Sequence, residues 1–438
     1  MRRTIRQGVL AATACVALSG CMSDGFATSD DPDVTRNAGA FAEAQGERGE
    51  DHQSQIIEAL IARRSVLPEG SSYARVADAT LAASSRTAEA ELRQARLRSR
   101  AADKNWLPSL GPSVSLLSLS SIVASLVVDQ VLFDFGKKKA EREFARADVE
   151  AAAVALSQDE NDRVHTALSL YLKSEEAREL AAASGGAVTR MREMETIMAK
   201  RVEGGISDMS ELAVIRSKVA ELAATQADAV QAGRTARAEL AAMTAGSLDT
   251  VHGIAKLTIP GDAVDPLSLH LAHAERDRDI AEAAIARAGL LPGLSAGAAI
   301  SSRDGVTGPD LVLSSDNGIG FSTPDNLKAV DASKEAAERR VAQAREDAAR
   351  RLAALSQERA GLAARAGRAV DLAAQGQANA NLFRRQFDAG TRTVSEVVTV
   401  IESMARLEAE AIAAKYAGAR ADIEIARELG LLADGGEI

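Results

Sequence analysis

Two helical stripes of apolar residues occur at corresponding positions in the two halves of the chain. The first consists of Leu212, Ile215, Val219 and Leu222, and the second of Val397, Val400, Met404 and Leu407. This spacing of i, i+3, i+7 and i+10 places four side chains on one face of a helix. A glycine precedes each stripe, Gly205 in the first copy and Gly390 in the second, 185 residues apart. Because glycine adopts positive φ at little cost, each one predicts the turn of a helical hairpin.

The residues around the two glycines repeat as well. Residues 201–212 read RVEGGISDMSEL, and residues 386–397 read QFDAGTRTVSEV. The candidate N-caps of the returning helices are Ser207 or Asp208 in the first copy and Thr391 or Thr393 in the second. The sequence therefore predicts two long helical hairpins of the same design.

Proline placement supports helices of unusual length. No proline occurs between Pro112 and Pro260, or after Pro324. A helix from about Lys137 to Glu203 would be roughly 100 Å long at 1.5 Å per residue. Val164, Leu168 and Tyr171, like Met191, Met194 and Met198, keep the spacing of a coiled-coil seam. Since a glycine inside a helix costs about 1 kcal/mol, we expect a local irregularity at Gly185-Gly186.

The helical period stops ahead of each hairpin. Leu107-Pro108-Ser109-Leu110 and Leu291-Pro292-Gly293-Leu294 are 184 residues apart and introduce runs of alternating or small residues. The runs, about 108–135 and 292–322, are expected to break at Ser120-Ser121 and in a turn over 303–309. Pieces of about 9–12 residues suit tilted membrane strands, and Trp106, Phe133, Phe135 and Phe321 stand at their ends, as interfacial aromatics do.

Composition leaves a second interpretation of these runs open, namely soluble hairpins that cap a helical domain. Asp129 and Asp134 are candidates for a lumen-facing position, but the phase of the strand is not fixed by the sequence.

The remaining segments complete the organisation. We expect a signal peptide at 1–20, a lipidated tether at 21–53, repeat 1 at 54–245, a connector at 246–265, repeat 2 at 266–432 and a polar tail at 433–438. Helical patterns cover about 53–67, 71–105 and 266–290, and the last hairpin helix is predicted from about Val394 to Leu432.

The N-terminus has the anatomy of a bacterial export signal. Arg2, Arg3 and Arg6 precede the apolar stretch 8–18, which is too short to span a bilayer. Leu18-Ser19-Gly20-Cys21 resembles a lipobox, in which Cys21 would be lipidated and become the mature N-terminus. Cys15 lies in the removed part, so no internal disulfide is expected.

Charge and composition exclude several function classes. The net charge of −10 argues against nucleic acid as a partner, and the sequence contains no basic patch interleaved with aromatic residues. No nucleophile elbow, phosphate loop or dinucleotide fingerprint is present, so we expect neither an enzyme nor a cofactor. His270 and His273 are close in sequence, but without further ligands they do not predict a metal site.

Four strands cannot close a barrel, and an open sheet edge is not tolerated in hydrocarbon. If the strands lie in a membrane, the chain must therefore oligomerise. Two long hairpins per subunit would continue such a barrel as a helical tube.

The lipobox, the duplicated strand-strand-hairpin unit and especially FDAGTRTVSEVV resemble the TolC-type outer membrane factors over residues 54–432. The resemblance implies a mainly α fold with a small membrane β part. Three chains would form a twelve-stranded β-barrel in the outer membrane, in contact with its lipid, and an α-helical tunnel across the periplasm. The implied function is a passive exit duct in drug efflux or type I secretion. Its partners would be a periplasmic adaptor protein and an inner-membrane pump of the RND or ABC type.

The resemblance also implies a gate at the hairpin tips, residues 201–208 and 386–393. Its residues would be Arg201, Gly205, Ser210, Glu211, Phe387, Gly390, Thr391, Arg392 and Glu396. Arg392 corresponds to the family's tip arginine, with its partners at Ser210 and Glu211, so a link from Arg392 to Glu211 would hold the tunnel shut. Phe387 replaces the usual tyrosine. Of the family's two acidic positions at the tunnel entrance, Glu396 keeps one and Thr399 replaces the other.

Simpler interpretations remain for the same residues. Arg392 and Glu396 are four apart on one helix and can pair with each other on a solvated face. Glu211 can be an ordinary acidic residue of a helix first turn. For the whole chain, the alternative is a periplasmic adaptor or helical scaffold lipoprotein without a pore. Adaptors carry one hairpin flanked by β-rich halves, so the duplication favours the duct.

Overall fold

The computed structural model describes residues 54–83, 87–118, 121–260, 264–301, 305–314 and 320–437. The predicted signal peptide, Cys21 and the tether lie outside the described residues. The helices are α1 (Gln55–Ile61), α2 (Ser72–Ala82), α3 (Thr87–Ala102), α4 (Lys137–Glu203), α5 (Met209–Met243), α6 (Leu267–Gly289), α7 (Thr323–Asp388) and α8 (Val394–Glu428). The strands are β1 (Ser109–Ser118), β2 (Ser121–Phe133), β3 (Gly293–Ser301) and β4 (Gly305–Ser314).

The predicted fold class is confirmed. The described chain is mostly helical, and the order strand, strand, long helix, shorter helix occurs twice, as β1-β2-α4-α5 and β3-β4-α7-α8. The long helices α4 and α7 have 67 and 66 residues, and the returning helices α5 and α8 have 35 each. The near-identical lengths match the constant offset between the two sequence repeats.

The four strands form one antiparallel sheet in the order β1-β2-β3-β4. The two repeats meet where β2 pairs with β3, for example at Val128 and Ala298. β1 and β4 are the edge strands, and among the described residues each pairs with one strand only.

The turn predicted over 303–309 is wrong for its larger part, because β4 begins at Gly305. The register between β3 and β4 shifts between Gly297 and Ala299, opposite Thr307 and Asp310. The Gly-Pro pair that suggested a turn therefore falls at a bulge in an edge strand, where proline and glycine are tolerated.

One face of the sheet is mainly apolar, with Gln130 as an exception on β2, and the other face mixes small and polar residues with Val127 and Val131. On β2, Leu126, Val128 and Leu132 are exposed and alternate with Ser125 and Asp129. By register, the partners of Leu126 are Pro112 on β1 and Ile300 on β3, and those of Val128 are Leu110 and Ala298. The partners of Asp129 are Ser109 and Gly297.

This alternation settles the phase of β2 that the sequence left open. Asp129 lies on the face that mixes small and polar residues with the two valines. Asp134 instead holds the start of α4, since its carboxylate accepts hydrogen bonds from the backbone N–H of Gly136 at 3.0 Å and of Lys138 at 2.6 Å.

The irregularity expected at Gly185-Gly186 is wrong, because α4 runs through both glycines without a break. A Cβ built on Gly185 would lie 2.6 Å from the Gln226 side-chain nitrogen of α5. Only the flexible end of the Gln226 side chain lies near Gly185, and the long packed helix continues through both glycines.

The single helix expected over 71–105 is also wrong, because α2 ends at Ala82 and α3 begins at Thr87. Donors from other segments bind carbonyls near the end of α2: the Ala245 backbone N–H donates to Ala79 and the Arg163 side chain to Thr80. Two further ends fall earlier than predicted. α1 ends at Ile61, and α8 ends at Glu428, where Gly430 takes positive φ.

The hairpin helices lie side by side in one wall. Among the hairpin helices, α4 packs on α5 and α8, and α7 packs on α8, which gives the order α5, α4, α8, α7; α6 also packs on both α4 and α7. Side chains are buried along much of α4, whereas few are buried on α5 and α7. The wall thus has two sparsely covered edge helices, just as the sheet has two open edge strands. No described helix combines the length and the apolar character needed to cross a bilayer.

The connector is fixed to the middle of the wall by a buried carboxylate. The Glu175 carboxylate is fully buried and accepts hydrogen bonds from Arg178, from His252 and from the Gly253 backbone N–H. The Gly253 carbonyl accepts hydrogen bonds from Tyr171 and Ser72. Burial alone would raise the pKa of Glu175, but these hydrogen bonds outweigh burial and lower it to about 2.

The two ends of the described chain are joined to each other. The Val66 backbone N–H donates to the Leu431 carbonyl, and the Ser65 N–H donates to the Asp434 carboxylate. Asn161 of α4 accepts a hydrogen bond from the Leu432 N–H at 2.7 Å. These contacts fasten the start of repeat 1 to the end of repeat 2, and they include part of the segment expected to be a polar tail.

Glu175→Gln should lower stability, because Gln cannot accept the same charge-assisted hydrogen bonds at a buried position. We expect a loss of about 2 kcal/mol and a lower melting temperature of the helical circular-dichroism signal. The matched control is Glu195→Gln on the same helix, whose carboxylate pairs with the half-exposed Arg216. Since the pKa of Glu175 is depressed, the difference should persist above pH 4.5 and vanish as the pH falls towards 2. Equal melting temperatures for the two variants would contradict this account.

Candidate functional site

Both hairpin tips end their long helix in the same way. At the first tip, the Gly205 N–H donates to the Val202 carbonyl at 3.0 Å and the Ile206 N–H to Arg201 at 2.8 Å. This pair of hydrogen bonds is a Schellman motif, in which Gly205 supplies the left-handed residue with φ of 73°.

The second tip repeats this motif. The Gly390 N–H donates to Phe387 and the Thr391 N–H to Gln386, both at 2.9 Å, and Gly390 has φ of 75°. The two turns therefore share the same pair of backbone hydrogen bonds and a glycine with positive φ, as the repeated glycines predict.

The returning helices are capped at equivalent positions. Asp208 caps α5 and accepts a hydrogen bond from the Ser210 N–H, whereas Thr393 caps α8. Of the candidate caps, the structure thus selects Asp208 over Ser207 and Thr393 over Thr391. Thr393 and Glu396 form a full capping box: the Glu396 N–H donates to the Thr393 hydroxyl at 3.3 Å, and the Thr393 N–H donates to the Glu396 carboxylate at 2.8 Å.

Arg392 is fixed within the second tip. Its guanidinium donates to Glu396 at 2.7 Å and to the Gln386 side-chain oxygen at 3.1 Å, and it lies 4.6 Å from the centre of the Phe383 ring. The pair with Glu396 is the local alternative that their spacing of four residues allows. In the described part of this single chain, Arg392 makes no hydrogen bond to Glu211, which is exposed at the first tip. A link from Arg392 to Glu211 stays a prediction.

The Glu396 carboxylate is held entirely by its own tip. The hydrogen bond from the Thr393 backbone, followed by those from Arg392 and the Thr393 hydroxyl, lowers the pKa of Glu396 to about 2. The carboxylate therefore remains charged until the pH falls close to that value, and its bonds stabilise the tip above pH 4.5.

The two tips lie against each other. The Arg201 guanidinium is 5.8 Å from the centre of the Phe387 ring, within the range of a cation–π contact. Behind the tips, one buried apolar cluster joins the hairpins; it contains Met191, Met194, Met198, Leu212, Ile215, Val394, Val397, Val398 and Ile401. The predicted methionine seam is thus the contact surface between the two hairpins.

Two ion pairs across the hairpins were not found from the sequence. Arg384 of α7 binds Glu193 of α4 at 3.0 Å, and Lys218 of α5 binds Glu402 of α8 at 2.9 Å. The partners are far apart in sequence, and no local pattern connects them. Together with the contact between Arg201 and Phe387, and with the hydrogen bond from Arg190 to Asn381 one turn further from the tips, they join the two hairpins.

The comparisons by sequence give no assignment. No family model matches the chain, and no curated protein matches it.

Solved structures do match the chain. The Campylobacter jejuni CmeC outer membrane channel has a TM-score of 0.68 at 13% identity, covering 83% of this chain and 86% of that one. The outer-membrane channel OprN has a TM-score of 0.72 at 16% identity, with coverage of 84% and 93%. The open state of the Neisseria gonorrhoeae MtrE outer membrane channel has a TM-score of 0.60 at 15% identity, with coverage of 88% and 90%.

The chain has the fold of these channels. At such low identity the likeness concerns the backbone, and it confirms the fold that the resemblance to TolC-type factors predicted. It does not extend to individual tip residues.

Thr393→Ala should loosen the start of α8, because it removes the hydroxyl of the capping box. We expect a local loss of about 1 kcal/mol, which corresponds to roughly fivefold faster hydrogen exchange in the first turns of α8. Ser395→Ala serves as the control, since Ser395 is exposed and its side chain makes no hydrogen bond among the described residues. Equal exchange in both variants would show that the cap does not hold the tip.

Proposed function

We propose that this chain is one subunit of a passive exit duct in the outer membrane. The duct would continue through the periplasm as a helical tunnel with its gate at the hairpin tips. One observation supports this most directly. The sheet has two open edges and an exposed apolar face, and the helical wall has two sparsely covered edge helices.

The open edges support assembly from several copies. The unpaired backbone groups of β1 and β4 would each cost several kcal/mol in hydrocarbon. Pairing β1 of one copy with β4 of the next removes both edges. Three copies supply twelve strands, the closed barrel that the TolC-type resemblance implies, so we propose a homotrimer.

The apolar face supports contact with outer-membrane lipid. Leu110, Leu126 and Leu132 are exposed on this face, and the aromatic residues Trp106 and Phe133 stand near the strand ends. A barrel that carries such a face outwards would present Asp129 to the lumen. Lipidation of Cys21 would add an anchor in the same membrane.

The transport partners follow from the resemblance. We propose that the tunnel docks onto a periplasmic adaptor protein and, through it, serves an inner-membrane pump of the RND or ABC type. The system would carry out drug efflux or type I secretion. Because the sequence contains no nucleotide-binding motif, the energy would come from the pump.

The alternative of a helical adaptor without a pore receives no support from the fold. An adaptor role does not explain the duplicated hairpin or the exposed apolar sheet, because an adaptor needs neither.

The direct test is electrical. Full-length protein extracted in detergent and added to a planar lipid bilayer should give stepwise increases in conductance. A protein that stays soluble and never conducts would eliminate the duct.

A second test concerns the gate. Arg384→Ser combined with Lys218→Ser removes both ion pairs between the hairpins near the tips. An exposed ion pair contributes up to about 1 kcal/mol, so the closed-to-open ratio should fall by as much as about thirtyfold. Single-channel recordings should then show a higher mean conductance.

The control for the gate test is Arg406→Ser, which breaks an exposed ion pair with Glu410 within α8. Its conductance should equal that of the unmodified protein. An equal conductance for the double variant would remove these two pairs from the gate. Arg392→Ser and Glu211→Ala then separate the roles of Arg392, because only a link between the tips makes both variants conduct more.

A further inference from the structure

A row of cationic residues runs along α3 towards the sheet. Arg93, Arg96 and Arg100 follow the i, i+3, i+7 spacing of one helix face, and Lys104 comes one turn after Arg100. All four side chains are exposed, while Leu92 and Ala95 are buried on the adjacent face of α3. We name these four residues the α3 cation row.

The α3 cation row is not neutralised by the chain. In the described ranges, none of its four residues has a carboxylate partner. The start of α4 differs, because its lysines are paired there: Lys138 with Glu141 at 3.2 Å and Lys139 with Glu143 at 3.7 Å. The α3 cation row is therefore a local patch of positive charge on a chain whose net charge is −10.

The row ends at the level of the sheet. The Asn105 side chain donates to the Lys138 carbonyl at 3.0 Å, and the Trp106 carbonyl accepts a hydrogen bond from Gln130 of β2 at 2.9 Å. These bonds place Lys104 beside the ends of β1 and β2. At about 1.5 Å per residue, Arg100 lies roughly 6 Å and Arg96 roughly 12 Å further along the helix.

The surface next to the row is apolar. Leu97, Trp106 and Leu107 are about half exposed, and the Phe133 and Phe135 rings are in edge contact at 4.7 Å near the end of β2. Aromatic residues favour the boundary between hydrocarbon and headgroups. The headgroup layer is about 5–8 Å thick on each side of a bilayer, which matches the position of Lys104 and Arg100.

We propose that the end of the α3 cation row nearest the sheet, Arg100 and Lys104, binds the headgroups of anionic phospholipids in the periplasmic leaflet of the outer membrane. The inference rests on the proposed function, since it requires the sheet to lie in that membrane. Guanidinium groups donate to phosphate oxygens in a fork geometry, and each basic residue near an anionic surface contributes roughly 1 kcal/mol to binding. The row thus determines how deep each subunit sits and which lipids surround it.

Charge and continuity favour lipid over another occupant. The row is continuous with the exposed apolar and aromatic rim of the sheet, and a lipid covers both surfaces at once. An acidic stretch of the chain itself is the competitor: residues 22–53 contain eight Asp or Glu and two Arg. Such a peptide would neutralise the row and leave no preference for lipid charge.

The chain contains one tryptophan, Trp106, next to the row, so its fluorescence reports on this place. The full-length protein in neutral detergent is titrated with phosphatidylglycerol or phosphatidylcholine, each brominated on its acyl chains to quench tryptophan. We expect stronger quenching by phosphatidylglycerol at low salt, and a weaker preference at high salt. Arg100→Gln with Lys104→Gln should reduce the preference at least about fivefold.

Arg98→Gln is the matched control, because Arg98 is exposed on the same helix but lies on another face. It should keep the preference of the unmodified protein. Equal quenching by the two lipids in the unmodified protein would overturn the proposal while leaving the duct intact. Absence of quenching by both lipids would instead contradict the position of the sheet in the membrane, and with it the proposed function.

Discussion

The rest of the structure depends on the unpaired backbone groups along the edge strands β1 and β4. Each edge strand presents N–H and C=O groups on one side that pair with no other strand in the described part of the chain. Water can satisfy such groups, but hydrocarbon cannot, and the cost per group is several kcal/mol. Because the same sheet also has an exposed apolar face, a single chain forms only part of the proposed closed barrel. The helical part is incomplete in the same sense, because α5 and α7 bury few side chains.

The helical wall is held by a thin seam rather than a thick core. Buried alanines and methionines allow α4 and α8 to approach closely, and the charged pairs beside them bind across the seam. Glu176 pairs with Arg420 at 2.6 Å, and Asp162 pairs with Arg427 at 2.9 Å. Pairs this exposed contribute little stability each, but they fix the register of one hairpin along the other. The tips, at the far end of the seam, then face each other at defined positions.

Local sequence patterns predicted the features that local physics determines. Gly205 and Gly390 gave the two turns, Thr393 one of the caps, and the methionine spacing the seam. The predictions are wrong where contacts with a distant segment of the chain determine the local structure. Gly185 lies in a helix that packs along α5, α6 and α8, and β4 begins early because β3 pairs with it.

In the candidate site, too, the sequence predicted local contacts but not contacts between distant segments. The local pair of Arg392 with Glu396 was among the sequence alternatives, since both lie on one helix. The ties of Glu193 with Arg384 and of Lys218 with Glu402 join residues nearly two hundred positions apart, so no periodic pattern reveals them. A link between Arg392 and Glu211 would depend on neighbouring subunits, which a single sequence does not position.

The most direct test of the central claim is the mass of the protein particle extracted from the membrane in mild detergent. Native mass spectrometry of the purified particle counts its subunits after the detergent is removed. We expect three copies and no stable single chain, because only assembly pairs the β1 and β4 edges. A stable monomer with its sheet still embedded in detergent would contradict the account.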